Sequence, residues 1–351
     1  MLDIIITHYR EPWEVCKKQF WMLEMQRRVD WKEIRVTVVN DGGCRLPEEE
    51  LNRLSFSIEQ LDIPHGGISA ARNAGIEHAT EPWIMFCDCD DCFSNIYALE
   101  DIVNVIRGQA AEKYDMMWST CYEENESSGI IFLIPKQRVF VFTHGKIYRR
   151  QYLMEQGIRF DTALKMNEDS CFNATIIART HRVGEIRSHV PPYAWIRREN
   201  SLTGQEGADD LGAYCQMHRN MVVTEENRKY RPEEYPGMVT RTAYDAYFMV
   251  HGNRITASCK QKILGEFVPW LRERLETFGT VSEGMLDDIR EISRSELLDH
   301  GPDDGVICEH SAVRAWVEWI AEERSAEDGM GKDRAGGAVP AVGAENSVIE
   351  P

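Results

Sequence analysis

No charge-free apolar stretch in the 351 residues is long enough to span a bilayer, and there is no internal repeat. The opening Met1-Leu2-Asp3-Ile4-Ile5-Ile6-Thr7 is too short an apolar run for a secretory leader. It has no basic lead, and His8, Arg10 and Glu11 follow closely. Positive charge is scarce: 40 Lys plus Arg stand against 58 Asp plus Glu, a formal net charge of −18. That deficit argues against a general nucleic-acid binder, which needs basic patches for phosphate, and against docking on an anionic membrane surface. Neither the G-x-x-x-x-G-K-S/T nor the G-x-G-x-x-G phosphate loop occurs. The 10 cysteines are scattered, without the spacing of a small disulfide scaffold. They read as reduced thiols, and the expected location is cytoplasmic. A hydrophobic fraction of 43% is enough for a sizeable core, and the length suggests about two domains. A phosphate-bearing ligand would demand local counter-charge from a chain this acidic, either a few placed Arg or Lys or a metal ion.

The first hundred residues alternate strand and helix signals. Asp3 to Thr7 is a β-branched run, followed by a turn at His8-Tyr9-Arg10-Glu11-Pro12. Residues 13–28 carry Trp13, Cys16, Phe20 and Leu23 at helical spacing. Ile34 to Val39 is a second strand closed by Asn40-Asp41-Gly42-Gly43, Phe56 to Ile63 a third, and Gly66 to Ala79 a helix opened by glycines. Trp83 to Cys87 is a fourth strand, apolar enough to be buried on both faces. This order predicts an α/β fold with right-handed βαβ units and a mostly parallel sheet covered by helices. Beyond about 114 the pattern changes. The apolar runs of 129–142 around Pro135-Lys136-Gln137-Arg138 predict a hairpin, and helices are expected near 145–156 and 167–180. After about 205 the signals are almost all helical: 208–229, 239–252, 259–277, 283–298 and 311–324. Residues 326–351 are expected to form a disordered tail, which leaves domains at 1–205 and 206–325.

Phe86-Cys87-Asp88-Cys89-Asp90-Asp91 crowds three carboxylates at the C-terminal end of an apolar strand, where ligands bind in parallel sheets. On an extended chain Asp88 and Asp90 project to one side. Like charges this close favour a cation between them, and hard oxygen ligands suit Mg²⁺ or Mn²⁺. A polar loop capping the next helix through Asp91 or Ser94 is the plainer reading. A thiolate zinc site at Cys87, Cys89 and Cys92 lacks a nearby fourth ligand. Asp41, before Gly42-Gly43, can accept from a base edge or ribose hydroxyl, with the glycines allowing close approach of a planar ligand; an Asp-Gly turn is also simply a turn. In His65-Gly66-Gly67-Ile68-Ser69-Ala70-Ala71-Arg72-Asn73-Ala74-Gly75 the helix amides can meet an anion, Arg72 is a candidate counter-charge, and the small residues also permit close packing on the sheet. Glu168 and Asp169 open a helical pattern, either as dipole-favoured acids or as a general base aimed at a hydroxyl. Tyr193 to Thr203 combines aromatics with Arg197 and Arg198, a diphosphate clamp or a buried strand face followed by solvated arginines.

Taken in order, these pieces resemble the GT-A glycosyltransferases of family 2, over about residues 1–205. They are Thr7-His8-Tyr9, Asn40-Asp41-Gly42-Gly43, Ala71-Arg72-Asn73-Ala74-Gly75, Asp88-Cys89-Asp90-Asp91, Gly145-Lys146-Ile147-Tyr148-Arg149, Glu168-Asp169, and Tyr193 to Ser201. The resemblance implies a GT-A (Rossmann-like) sheet flanked by helices, followed by an α-helical region. It implies metal-dependent, inverting transfer from a nucleotide-sugar donor, such as a UDP-sugar, to a carbohydrate or other hydroxyl acceptor. Tyr9, Glu11, Asp41 and Arg72 would line the nucleotide pocket, with Asp88 and Arg198 also on the donor. Asp88 and Asp90 would hold the divalent metal, Mn²⁺ or Mg²⁺. Asp169 would be the base, supported by Glu168. The sequence departs from the family pattern at Thr7-His8, where a proline is usual before the Tyr, at Asn40, where Asp is common, and at Gly43, where Ser is common. His144 and His189 are possible extra metal ligands or ordinary polar histidines.

A non-catalytic nucleotide-sugar or carbohydrate-binding protein of the same fold is the alternative. A nucleotidyltransferase would need a basic Gly-rich loop after the first strand, and His8 to Pro12 is not one. Expected partners are the donor and the acceptor, with no nucleic acid and no membrane span. The helical region after 205 is expected to serve the acceptor, or to make a homo-oligomer.

Overall fold

A computed structural model describes residues 1–127, 130–136, 141–188, 190–196, 207–276 and 310–322. The expected helix at 283–298 and tail at 326–351 lie outside them. The chain divides into two compact units, Met1–Ala208 and Asp209–Pro351.

The first unit is α/β. Its strands are β1 (Leu2–His8), β2 (Ile34–Asp41), β3 (Ile58–Ile63), β4 (Trp83–Asp88), β5 (Cys92–Phe93), β6 (Met116–Trp118), β7 (Cys121–Ser127), β8 (Ile130–Lys136), β9 (Lys146–Arg149), β10 (Val183–Glu185) and β11 (Tyr193–Trp195). A seven-stranded sheet runs β10-β6-β9-β4-β1-β2-β3, and a four-stranded sheet runs β5-β11-β7-β8. In the larger sheet β1 pairs parallel with both β2 and β4, and only β9 runs against its neighbours. β1 is buried along its whole length, as is β4 up to Cys87, because helices cover both faces. The helices are α1 (Trp13–Glu24), α2 (Glu48–Leu51), α3 (Ile68–His78), α4 (Ala98–Arg107), α5 (Arg150–Glu155) and α6 (Glu168–Arg179). α3 packs closely on the sheet: a β-carbon on Gly75 would stand 2.4 Å from the Ile5 side chain. Strand order reverses between β1 and β4, and the crevice outside the carboxyl ends of that pair is where such sheets bind ligands.

Two expectations are corrected. Residues 145–156 are not one helix. Gly145 turns the chain at φ +66°, Lys146–Arg149 inserts as a strand between β4 and β6, and the helix begins at Arg150. Ile147 and Tyr148 are buried there, so sheet packing overrides local helical spacing. The hairpin near 129–142 also shifts. Its strands are β7 and β8, and Pro135 lies inside β8 opposite Tyr122, not in the turn. β8 is an edge strand, where a residue without an N–H is tolerated.

The second unit is helical: α7 (Ala208–Tyr230), α8 (Tyr235–His251), α9 (Ala257–Lys262), a π-helical turn at Ile263–Phe267, α10 (Val268–Glu276) and α11 (His310–Glu322). Val239, Ala243, Tyr247, Leu271, Val313 and Trp316 belong to its own core. Asn220 donates to Asp245 at 2.7 Å, and the Trp316 indole donates to the Ala243 carbonyl at 3.1 Å. Among the described residues no helix is long and apolar enough to cross a membrane.

Candidate functional site

Register places the acidic strand end. Thr7 of β1 lies opposite Asp88 of β4, and its hydroxyl donates to Asp88 Oδ1 at 3.0 Å. The chain then leaves the strand: Asp91 N donates to the Asp88 carbonyl at 3.2 Å, closing a turn. The two-residue alternation therefore stops at Asp88, and the turn folds Asp91 back beside it. His144 meets both, with Nε2 at 3.3 Å from Asp88 Oδ2 and 3.2 Å from Asp91 Oδ2. Ligand atoms of Asp88, Asp91 and His144 all lie within 4.8 Å of one another; Asp90 is half-buried and outside the group. Adjacent ligands of an octahedral cation with bonds of about 2.1 Å stand ~3.0 Å apart, so the carboxylate–imidazole spacings suit a divalent ion. The neighbouring thiols do not join this group. Burial pushes the Cys87 thiol well up, and a hydrogen bond with Cys16, then burial, does the same for Cys89.

Arg72 ties the cluster to the second acidic pair. It is 2% exposed on α3, donates through NH1 to Glu168 Oε1 at 2.8 Å and through NH2 to Asp88 Oδ1 at 3.1 Å, and lies over the Phe160 ring. Burial opposes its charge, but Asp88 and Glu168 outweigh burial and hold the guanidinium charged. Burial likewise raises the Asp88 carboxyl, while Arg72, His144 and the Thr7 hydroxyl together bring it well below the usual carboxylate range. Glu168 goes the other way: burial, then the adjacent Asp169 charge, outweigh Arg72 and push it up to about 7. Asp169 is less buried than Glu168, and its Oδ1 accepts from Ser170 N. The residue before this pair, Asn167, is left-handed at φ 62°, a conformation that costs most side chains about 1 kcal/mol and recurs at functional sites.

The residues expected around the nucleoside are engaged with one another. The Asp41 carboxylate accepts from Gly66 N at 2.7 Å, Gly67 N at 2.9 Å and His65 Nδ1 at 2.9 Å. The amides that could have met a ligand anion thus meet this carboxylate. His65 stacks on the Tyr9 ring, and the Arg10 guanidinium lies over it. Glu11 accepts from the Tyr9 and Arg10 amides and the Cys89 thiol. Burial raises the Glu11 carboxyl, but the bonds from the Tyr9 and Glu11 amides and Cys89 outweigh it and hold it low. A cavity of about 460 Å³ opens beside these loops, lined by Arg10, Glu11, Trp13, Cys44, Arg45 and Leu46 among others. Arg197, Arg198 and His189 lie outside the described residues.

The three departures from the family pattern meet in one place. His8 Nδ1 bonds Asn40 Oδ1 at 2.9 Å across the β1–β2 register, and His8 Nε2 bonds the Glu11 carbonyl at 3.0 Å. A β-carbon on Gly43 would stand 1.3 Å from the Tyr9 carbonyl oxygen, so serine cannot occupy that position with this loop. Gly43 thus leaves room for the Tyr9 backbone. Tyr193 was expected only as a strand aromatic or part of a clamp. Its hydroxyl accepts from Asp88 N at 3.0 Å, and its ring stacks on His144. The aromatic pattern around 193–195 was visible in the sequence, but its pairing with His144 depends on two distant loops.

A mostly parallel seven-stranded sheet with an acidic crevice at its switch point fits a GT-A fold. Residues 3–157 match the model of the family described as glycosyl transferase family 2. The chain is 25% identical over 201 residues to the glycosyltransferase GlyA of Streptococcus pneumoniae, covering 49% of this chain and 28% of that protein. It is 23% identical over 182 residues to the poly(ribitol-phosphate) beta-N-acetylglucosaminyltransferase TarS of Staphylococcus aureus, covering 49% of this chain and 32% of the relative. The chain thus spans about a third of the length of these curated relatives. The crystal structure of S. aureus TarS 1-349 in complex with UDP-GlcNAc superposes with a TM-score of 0.64, over 93% of this chain and 92% of that one. At 16% identity this likeness speaks for the fold.

Proposed function

We propose that the protein is a divalent-cation-dependent, inverting glycosyltransferase that moves a sugar from a nucleoside-diphosphate sugar, a UDP-sugar in the first instance, to a hydroxyl acceptor. The observation that carries this reading is the bridge made by Arg72, which joins the Asp88–Asp91–His144 cluster to the Glu168–Asp169 pair through bonds of 3.1 and 2.8 Å. One group of charges suits a leaving diphosphate and the other a reacting hydroxyl, and they share one arginine.

In this reading Asp88, Asp91 and His144 hold the ion, with Asp90 close by in the same turn. A divalent cation held there would supply positive charge where the diphosphate leaves, so that no acid would be needed on that side. Asp169 accepts the proton of the acceptor hydroxyl, whose oxygen attacks the anomeric carbon opposite the diphosphate. Glu168, paired with Arg72, keeps the helix start in place. The nucleoside lies along Tyr9, Glu11 and the Asp41-held loop, beside the cavity between the loops that follow β1 and β2, and the diphosphate is assigned to Arg198 on the family resemblance alone. The UDP assignment draws on the UDP-GlcNAc complex of the structural neighbour and on the N-acetylglucosaminyl transfer named for the staphylococcal relative. The helical unit is assigned to the acceptor or to self-association.

A donor screen tests this: UDP-, GDP- and dTDP-sugars with Mn²⁺ or Mg²⁺, reading released nucleoside diphosphate with and without polyol-phosphate and oligosaccharide acceptors. Release with a UDP-sugar, lost on chelation and in Asp88→Ala, is expected. Metal-dependent binding across the panel without hydrolysis or transfer would leave the non-catalytic alternative standing.

A further inference from the structure

His144 sits on a loop whose backbone is pinned just upstream. Lys146, 1% exposed, donates from Nζ to the carbonyls of Val141 at 2.8 Å and Phe142 at 2.6 Å. Asn173 Nδ2 donates to the same two carbonyls, at 3.2 and 2.8 Å. Asn173 is fully buried on α6, about one turn beyond Glu168 and Asp169, and its Oδ1 accepts from the Tyr148 hydroxyl at 2.8 Å. Phe142 is held left-handed at φ 42°, and its ring stacks on His144, which stacks in turn on Tyr193. A phenylalanine in that backbone region costs about 1 kcal/mol or more and persists only where its surroundings over-determine it. Four donated hydrogen bonds on two consecutive carbonyls do so.

We infer that Lys146 and Asn173 are positioning residues: they clamp the 141–142 carbonyls so that His144 Nε2 faces Asp88 and Asp91, and Asn173 ties that loop to the helix carrying Glu168 and Asp169. The inference rests on the reading of Asp88, Asp91 and His144 as a cation site. Imidazole orientation in such sites depends on neighbours that never touch the ion, and loss of one typically weakens metal binding about 10–100-fold. Neither side chain reaches the reacting atoms, so each acts through His144 and α6.

The test uses the full chain stripped of metal and titrated with Mn²⁺ alone. Electron paramagnetic resonance gives the Kd, and spin-echo modulation detects a ¹⁴N nucleus on the ion. Wild type should show the imidazole nitrogen, and His144→Ala should lose it. Lys146→Met and Asn173→Ser should each bind about 10–100-fold more weakly and lose or diminish the nitrogen signal while remaining folded by circular dichroism. Both variants keeping the signal and the wild-type Kd would overturn the clamp alone. A wild type that binds no Mn²⁺, or binds it without nitrogen, would overturn the cation site beneath it. Wild-type hydrogen exchange supplies a readout that needs no variant. Added Mn²⁺ should slow amides of 141–146 and 168–173 together, and protection confined to 88–91 and 144 would count against the clamp.

Discussion

The strands on either side of β1 both end in an aspartate, Asp41 buried and Asp88 half-buried, and they end differently. At the close of β2, Asp41 accepts two glycine amides and the His65 ring, so its charge organises the protein's own loop. At the close of β4, Asp88 has one hydroxyl, one arginine shared with Glu168, and His144 with the like-charged Asp91 alongside. A carboxylate matched by backbone amides is complete without a ligand. Two carboxylates gathered on one imidazole are better matched when a cation joins them. In the proposed reading, the contrast separates an acid that shapes the site from one that works in it.

The sharpest way to break that contrast is Asp88→Ala. Turnover should fall by about 10³-fold or more, the equivalent of several kcal/mol of lost charge stabilisation, and Mn²⁺ affinity should go with it, read by initial rates and by Mn²⁺ titration. Asp169→Asn should lower turnover by about 10²–10⁴-fold with donor and Mn²⁺ affinities near wild type, because only the proton acceptor is changed. Asp41→Ala should behave oppositely to Asp88→Ala. It strands the Gly66 and Gly67 amides at a cost of about 1–3 kcal/mol, seen as a lower Tm, while Mn²⁺ affinity stays close to wild type. If Asp41→Ala lost the metal and Asp88→Ala only stability, the two roles would be reversed.

How far the sequence anticipated this follows the same divide. The parallel sheet, the central strands and the acidic strand end are local patterns, and β1, β2, β4 and α6 lie within a few residues of where periodicity placed them. What escaped depends on contacts between distant segments. Lys146–Arg149 has helical spacing but is held as a strand by β4 and β6. Pro135 looks like a turn residue and occupies an edge strand. One difference is local instead: alternation points to Asp90 beside Asp88, whereas a turn bond of 3.2 Å from Asp91 N to the Asp88 carbonyl brings Asp91 back there. His8, Asn40 and Gly43 are three separate departures in the sequence; in the structure His8 bonds Asn40, and Gly43 lies against the carbonyl of Tyr9, the residue after His8.

Glu168 gives the smallest and most discriminating effect, because its titration has the opposite sign to that of Asp88. Asp88 is held below its ordinary value of 3.8, so its ionised form contributes stability above that pH, lost as pH falls through the folded pKa. Glu168 is raised from 4.5 to about 7, so the folded chain holds that proton more tightly than the unfolded chain. Its contribution is therefore complete below pH 4.5 and declines as pH rises through about 7. Tm measured from pH 5 to 8 should fall more steeply for wild type than for Glu168→Gln, which keeps the side chain near Arg72 but cannot ionise. The difference between the two curves isolates this group from every other side chain, since the two proteins differ at Glu168 alone. Parallel curves would mean that Arg72, not burial and Asp169, governs Glu168.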